Sequence, residues 1–284
     1  MSHIFITKAD GEQEPFDPVK LERSLSHAGA SSTIRARILS EVIKELRPLM
    51  TTEDIYRRAF SLLKKDEATP IAARYSVKRA VFALGPSGFP FEQFLAEVLR
   101  AHGWRVRTDV TLMGRCAPHE VDVLAEKDLP APSGGQAGVK RVGIEAKFHN
   151  EPGGKTDIKD ALYVKARYDD LRQAPLASSR GDEGWLVTNT VLTRNAIRYA
   201  RCSNLTVIGW DYPRTRGLMQ MIEEGKVHPL TALTTLSEGE KRRLLENKVV
   251  LCKSVQDPHT LREYGVAPGK IPQVLEEAKQ LCSI

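Results

Sequence analysis

Apolar and polar positions alternate along residues 118–125, where Val121 and Val123 are interleaved with Glu120 and Asp122. They alternate again along 143–148, where Ile144, Ala146 and Phe148 are interleaved with Glu145 and Lys147. A period of two reads as a strand, so Glu145 and Lys147 share one face. The stretch between them, 126–140, is rich in Pro, Gly and Ser and reads as a long hairpin connection. Upstream, Phe91, Phe94, Leu95, Val98 and Leu99 form one apolar helical stripe that Gly103 ends, and 104–112 alternates as a further strand. Downstream the pattern predicts a helix over about 156–173, a strand at 184–189, a short helix at 193–201 and a last strand at 205–210. The order α-β-β-β-α-β-α-β, antiparallel strands joined through helices to parallel ones, predicts an α/β sandwich over 87–215.

On either side the pattern is helical. Residues 3–7 and 12–16 read as a small β-hairpin with an Asp-Gly turn, and Asp17-Pro18 opens a helix with the acid as cap and proline at its first position. Helices follow at 34–46, 52–63 and 69–84, giving a helical N-terminal domain over 1–86, and 85–90 reads as a linker. The last part, 216–284, is a small helical segment. Ser237 and Glu240 make a capping box, short helices follow near 259–264 and 272–282, and small-residue turns between them resemble a helix-hairpin-helix element. A plain helical cap or a dimerisation arm fits the same pattern. The chain is therefore expected to be a multi-domain α/β protein.

Composition narrows this without deciding it. A chain of 284 residues, 41% apolar and 27% charged, can bury more than one core. No apolar run reaches the ~18 residues of a membrane span, and the N-terminus has no signal-like apolar stretch, so no membrane partner is expected. The net charge of +6 permits nucleic-acid binding but does not demand it. Cys116, Cys202, Cys252 and Cys282 lie far apart, which fits reduced thiols in a cytoplasmic protein.

The chemistry concentrates on the two alternating strands. If they pair, Asp122, Glu145 and Lys147 converge at one end of a sheet. Two carboxylates brought together repel unless a divalent cation lies between them, and hard oxygen ligands suit Mg²⁺ or Mn²⁺. A lysine beside them orients or deprotonates a water and stabilises charge on a phosphate. On a helical wheel Glu92 falls beside Leu99 at the edge of the apolar stripe, whereas Glu97 lies on the opposite border. His119 and His149 flank the strands, and His119 reads as a supporting group, a phosphate contact or an ordinary strand-end histidine. Lys155, Lys159, Lys165, Arg167 and Arg172 follow on one helix among Asp157, Asp160, Asp169 and Asp170, as a DNA-tracking row or as a solvated face. Tyr163 and Tyr168 read as packing residues.

Two resemblances sharpen these readings. Ile6-Thr-Lys-Ala-Asp-Gly11, Glu14-Pro-Phe-Asp-Pro-Val-Lys-Leu21, Thr51-Thr-Glu-Asp-Ile55 and Ala72-Ala-Arg-Tyr-Ser-Val-Lys-Arg79 resemble the ATP-cone, the nucleotide-sensing domain of ribonucleotide reductases and their transcriptional repressor. The resemblance implies an adenine nucleotide, ATP or dATP, as effector. Lys8, Lys20 and Arg79 would stand near its phosphates, and Ile6 and Glu14 on the base and ribose side. Ala9 stands where that family usually has arginine. His119-Glu-Val-Asp-Val-Leu-Ala125, Glu145-Ala-Lys-Phe-His-Asn150 and Leu186-Val-Thr-Asn189, after a Glu-bearing helix, resemble the PD-(D/E)xK superfamily and within it the Mrr-like restriction endonucleases. That implies Asp122 and Glu145 as metal ligands, Lys147 as the group positioning the attacking water, and Glu92 supporting the metal from its helix. The position before the first acid, often proline in that superfamily, is Val121.

Together these readings predict a Mg²⁺- or Mn²⁺-dependent DNA endonuclease regulated by ATP or dATP, and a homo-oligomer is compatible with it. Without a GxxxxGK[ST] motif, the nucleotide is expected as effector rather than fuel. Two alternatives remain open. One is a nucleotide-responsive DNA-binding regulator with an inert nuclease fold; the other is a nuclease for RNA or branched DNA.

Overall fold

The computed structural model describes residues 4–8, 11–65, 71–72, 75–130, 138–151, 153–174 and 183–282. Phe5–Thr7 (β1) and Gln13–Pro15 (β2) form the expected antiparallel hairpin, with Ile6 opposite Glu14. Its turn, including Ala9, lies outside the described residues. Asp17 caps Pro18–His27 (α1) by accepting the Val19 N–H at 2.9 Å, and proline stands at the start of the helix. Ser31 caps Ser32–Glu45 (α2), and Thr52–Lys65 (α3) opens with Glu53 and Asp54 and closes with Lys64 and Lys65, complementing the helix dipole. Leu25, Ile38, Ala59 and Leu63 are fully buried at the centre of this bundle.

The single helix predicted over 69–84 is divided. Ser76 interrupts it, and Val77–Phe82 (α4) is a separate helix. Val77, Ala80 and Val81 do not join the hairpin bundle; they pack into the next core, where the Thr231 hydroxyl donates to the Ala80 carbonyl at 2.5 Å. Phe89–Ala101 (α5) begins inside the expected linker, with Pro90 in its first turn.

A five-stranded sheet follows. Arg105–Met113 (β3), Pro118–Leu129 (β4) and Gly138–Lys147 (β5) are antiparallel neighbours, and Glu183–Thr188 (β7) and Thr206–Ile208 (β9) continue in parallel. The β4–β5 hairpin runs further into the expected loop than alternation suggested. Glu126 faces Arg141 across the ladder and pairs with it at 2.8 Å. Lys155–Thr156 (β6) and Val191–Leu192 (β8) form a small extra parallel pair.

Helices cover both faces. Ile158–Arg172 (α6) and Arg194–Cys202 (α7) pack on one face around Leu124, Tyr168 and Leu186. Tyr168 lies flat against two strand glycines: a Cβ on Gly143 would stand 2.1 Å from its hydroxyl, and one on Gly184 2.3 Å from its ring. Helix α5 covers the other face, with Phe91 and Phe94 fully buried. The C-terminal helices Leu218–Glu224 (α8), Glu238–Glu246 (α9), Pro258–Glu263 (α10) and Ile271–Cys282 (α11) share that core rather than forming one of their own. The capping box of Ser237 and Glu240 is formed. Buried Glu277 is satisfied by the N–H and hydroxyl groups of Thr234 and Thr235, at 2.6 to 2.9 Å. Among the described residues, no helix is long and apolar enough to cross a membrane.

Candidate active site

The β4–β5 ladder opens at Val123–Ile144, so Asp122 and Glu145 stand one step further along, where the two strands begin to part. Asp122 Oδ2 accepts the Ala146 N–H at 2.7 Å. This bond fixes the first acid against the backbone between Glu145 and Lys147. On β3, Asp109 adopts a positive φ of 55° at the point where the β3–β4 pairing is interrupted opposite Asp122. Such a backbone conformation is uncommon outside glycine and marks a local distortion of the strand.

Burial raises the pKa of both acids. For Glu145 the neighbouring charge of Asp122 adds to the effect, whereas for Asp122 the Ala146 N–H opposes it. Glu145 is held by Arg167 of α6, whose side chain is only 9% exposed, and the same guanidinium donates to the Tyr163 hydroxyl at 2.6 Å. Lys147 Nζ lies 3.0 Å from Asp160 Oδ1. Asp160 is itself fixed, because its carboxylate accepts the Asp157 N–H in the capping box that starts α6.

Glu92 approaches from α5. Burial, followed by the charges of Asp122, Asp109, Glu120 and Glu145, pushes its pKa up to about 7. Gln93, next in the chain, donates to the Thr108 hydroxyl at 3.1 Å and ties α5 to β3. The structure thus gathers Glu92, Asp122, Glu145 and Lys147 at one end of the sheet. Glu97 instead faces away and pairs with Arg100.

The residues suggested as flanking groups have other partners. His119 is bound by Asp170 at 2.8 Å, and His149 Nε2 lies 2.9 Å from the Thr156 hydroxyl. A buried polar chain continues from Thr156 through Thr188 to Thr190, and Asn189 braces the backbone of His149 in both directions. Of the basic row on α6, Lys165 pairs with Asp169, and Arg167 turns inward. Tyr168 is the packing residue expected, but Tyr163 is exposed and serves Arg167. Arg167 and Asp160 were not singled out by the sequence as partners of the acid and the lysine. Their only signal is i, i+7 spacing on one helix, which a solvated face shares.

In the N-terminal bundle the nucleotide candidates separate into two places. Glu14 and Lys20 pair at 2.9 Å, and Ile6 is buried in the bundle core. Lys8 and Arg79 instead line a cavity of about 940 Å³ at the seam with the sheet domain.

A divalent ion fits the donor set at the sheet end in kind. Asp122 and Glu145 offer hard carboxylate oxygens, each raised in pKa in a way that a cation would relieve. Among the described residues there is no cluster of three or more His, Cys, Asp or Glu side chains that holds an ion alone. Two carboxylates would leave most positions around a divalent ion to water.

Three family models match successive parts of the chain. The "ATP cone domain" family matches residues 4–81, "Restriction endonuclease" matches 85–219, and "AF1548-like, C-terminal" matches 228–282. An uncharacterised protein of Archaeoglobus fulgidus is 31% identical over 189 residues, covering 66% of this chain and 99% of its own length. The crystal structure of AF1548, a protein of unknown function, matches with a TM-score of 0.55 and 29% identity over 69% of this chain and 99% of its own. The modification-dependent restriction endonuclease AspBHI matches at a TM-score of 0.38 and 15% identity, over 61% of this chain and 38% of its own.

Proposed function

The chain belongs to the AF1548-like family and joins an ATP-cone to a restriction-endonuclease domain, and from that premise we propose that it is a metal-dependent DNA endonuclease governed by ATP or dATP. The observation that carries the reading is the bond from Ala146 N–H to Asp122, which brings both acids and Lys147 to the same sheet end.

Each residue then has a task. Asp122 and Glu145 would hold Mg²⁺ or Mn²⁺, which when bound supplies a Lewis acid for the phosphate and a more acidic water. Lys147, steadied by Asp160, orients the attacking water and offers positive charge to the phosphate as it gains negative charge. Glu92, with a pKa near neutrality, holds or releases a proton at the edge of the site as the local charge changes. Arg167 pairs with Glu145 and opposes the rise in its pKa that burial and Asp122 cause.

One observation favours the inert-regulator alternative. Arg167 already neutralises Glu145, so a cation must share that carboxylate with a guanidinium. The test is cleavage of supercoiled plasmid by wild-type and Asp122→Asn protein in Mg²⁺ or Mn²⁺, with and without ATP and dATP. Metal-dependent nicking that the substitution abolishes supports the endonuclease. Intact plasmid under every condition, with nucleotide-dependent DNA binding, favours the regulator. Single-stranded RNA and a four-way junction run in parallel assign the substrate class.

A further inference from the structure

Helix α4 belongs to two bodies at once. Its Val77, Ala80 and Val81 are buried in the core of the sheet domain, and Thr231 of the C-terminal segment is bonded to it. Its Lys78 and Arg79 instead face the cavity of about 940 Å³ at the seam. Opposite them stand Lys8, Thr51 and Tyr56 of the hairpin bundle, and the far wall is Trp210 and Met219, which follow β9. Lys78 Nζ lies 5.6 Å from the centre of the Trp210 ring. Arg79 sits 5.4 Å over Tyr56, which stacks on Tyr75 with centroids 5.2 Å apart.

Three cations with flat aromatic walls recognise a polyanion that carries a planar ring, which describes a nucleoside triphosphate. The volume suits a ligand of that size. Acidic groups are also present: Glu12 is paired with Lys8 at 2.6 Å, Glu53 with Arg79 at 2.9 Å, and Glu223 lies on the sheet-domain side. Glu14 and Lys20 do not line this cavity.

Resting on the ATP-cone reading above, we propose that the nucleotide binds across this seam. Lys8 and Tyr56 hold it from the bundle, while Lys78, Arg79 and Trp210 hold it from a surface built into the sheet domain. It clamps the two bodies together. The chain leaving α4 gives the clamp a short route to the acids. Only a few residues on, a Cβ at Gly85 would lie 2.6 Å from Asn150 Oδ1 and 2.8 Å from the Phe148 ring, so this segment rests directly on the loop that follows Lys147. A Cβ at Gly88 would lie 3.3 Å from Glu92 Oε1.

The experiment titrates ATP, then dATP, into the full chain and into Lys78→Gln and Trp210→Phe proteins, by calorimetry and by tryptophan emission. Trp104 and Trp185 remain in the Trp210→Phe protein as a check on its fold. The expected result is an emission change that Trp210→Phe removes, and an affinity that Lys78→Gln lowers roughly tenfold or more, the worth of a charge-assisted bond to phosphate. If ATP binds the wild type and neither substitution alters affinity or emission, the seam site is wrong and the ATP-cone reading stands. If neither nucleotide binds the wild type, both fall.

Discussion

Arg167→Ala is the most informative perturbation of the sheet end. It removes a guanidinium that is 9% exposed and leaves Glu145, 21% exposed, beside Asp122 with no basic partner of comparable burial. Breaking a buried pair by deleting one partner costs ~3–5 kcal/mol, because the remaining charge stays desolvated. Water still reaches part of Glu145, so the lower end, about 3 kcal/mol, is expected here. Glu145→Gln removes the charge that needs neutralising. The double substitution is therefore expected to cost less than the sum of the single ones, by roughly 1–3 kcal/mol. Urea unfolding read at Trp104 and Trp185, which meet edge to face with centroids 5.6 Å apart, reports the sheet domain. Mg²⁺ adds a second axis. With the guanidinium gone, the cation has Glu145 to itself, so Mg²⁺ should stabilise Arg167→Ala more than wild type, by mass action on the folded state. Additive single effects, a cost below about 0.5 kcal/mol for Arg167→Ala, and equal Mg²⁺ responses would show that Arg167 does not hold Glu145.

Two further predictions concern stability. The Tyr168 hydroxyl is buried without a hydrogen-bond partner among the described residues, so Tyr168→Phe should be neutral or stabilising by up to about 1 kcal/mol in thermal unfolding; a loss above that would reveal a bond this geometry lacks. Glu240 is buried, which opposes ionisation, but Lys270 at 2.5 Å and the Ser237 N–H and hydroxyl outweigh this and hold its pKa at about 2. A depressed pKa favours the folded state above the ordinary value of 4.5, and that contribution fades as pH falls from 4.5 toward 2. Wild type should therefore exceed Glu240→Gln in melting temperature at pH 7, and the gap should narrow steadily as pH falls from 4.5 toward 2. A gap that persists unchanged at low pH would contradict the ion-pair origin.

Much of this architecture is legible in the chain because local rules and the tertiary fold agree there. Alternation marks β4 and β5, Asp17 and the Ser237–Glu240 box mark helix starts, and the apolar stripe of α5 places Glu92 beside the core. The misreadings occur where distant groups decide. Val121 and Val123 read as one face, yet Val121 packs with Leu112 under α6 and Val123 packs under α5. The strands part at Asp122 and β3 is distorted at Asp109, which a period of two does not encode. Arg167 looks like its exposed neighbours because only the position of Glu145 draws it inward. Ser76 divides a helix that its flanking residues favour, because Val77, Ala80 and Val81 find a larger apolar surface in the sheet domain than in the bundle. Trp210 and Lys78 gain meaning only when the two bodies meet.

If Lys147 acts on the reacting water, removing it should slow cleavage without loosening DNA. Single-turnover cleavage of duplex DNA in saturating Mg²⁺ is compared between wild type and Lys147→Ala, with DNA affinity measured on the same proteins. The expected result is a fall of about 10²–10⁴-fold in the cleavage rate, the usual worth of a positioned proton-transfer or charge-stabilising group, with DNA affinity nearly unchanged. A rate within about twofold of wild type would contradict it, since so small a change in barrier is less than such a group supplies.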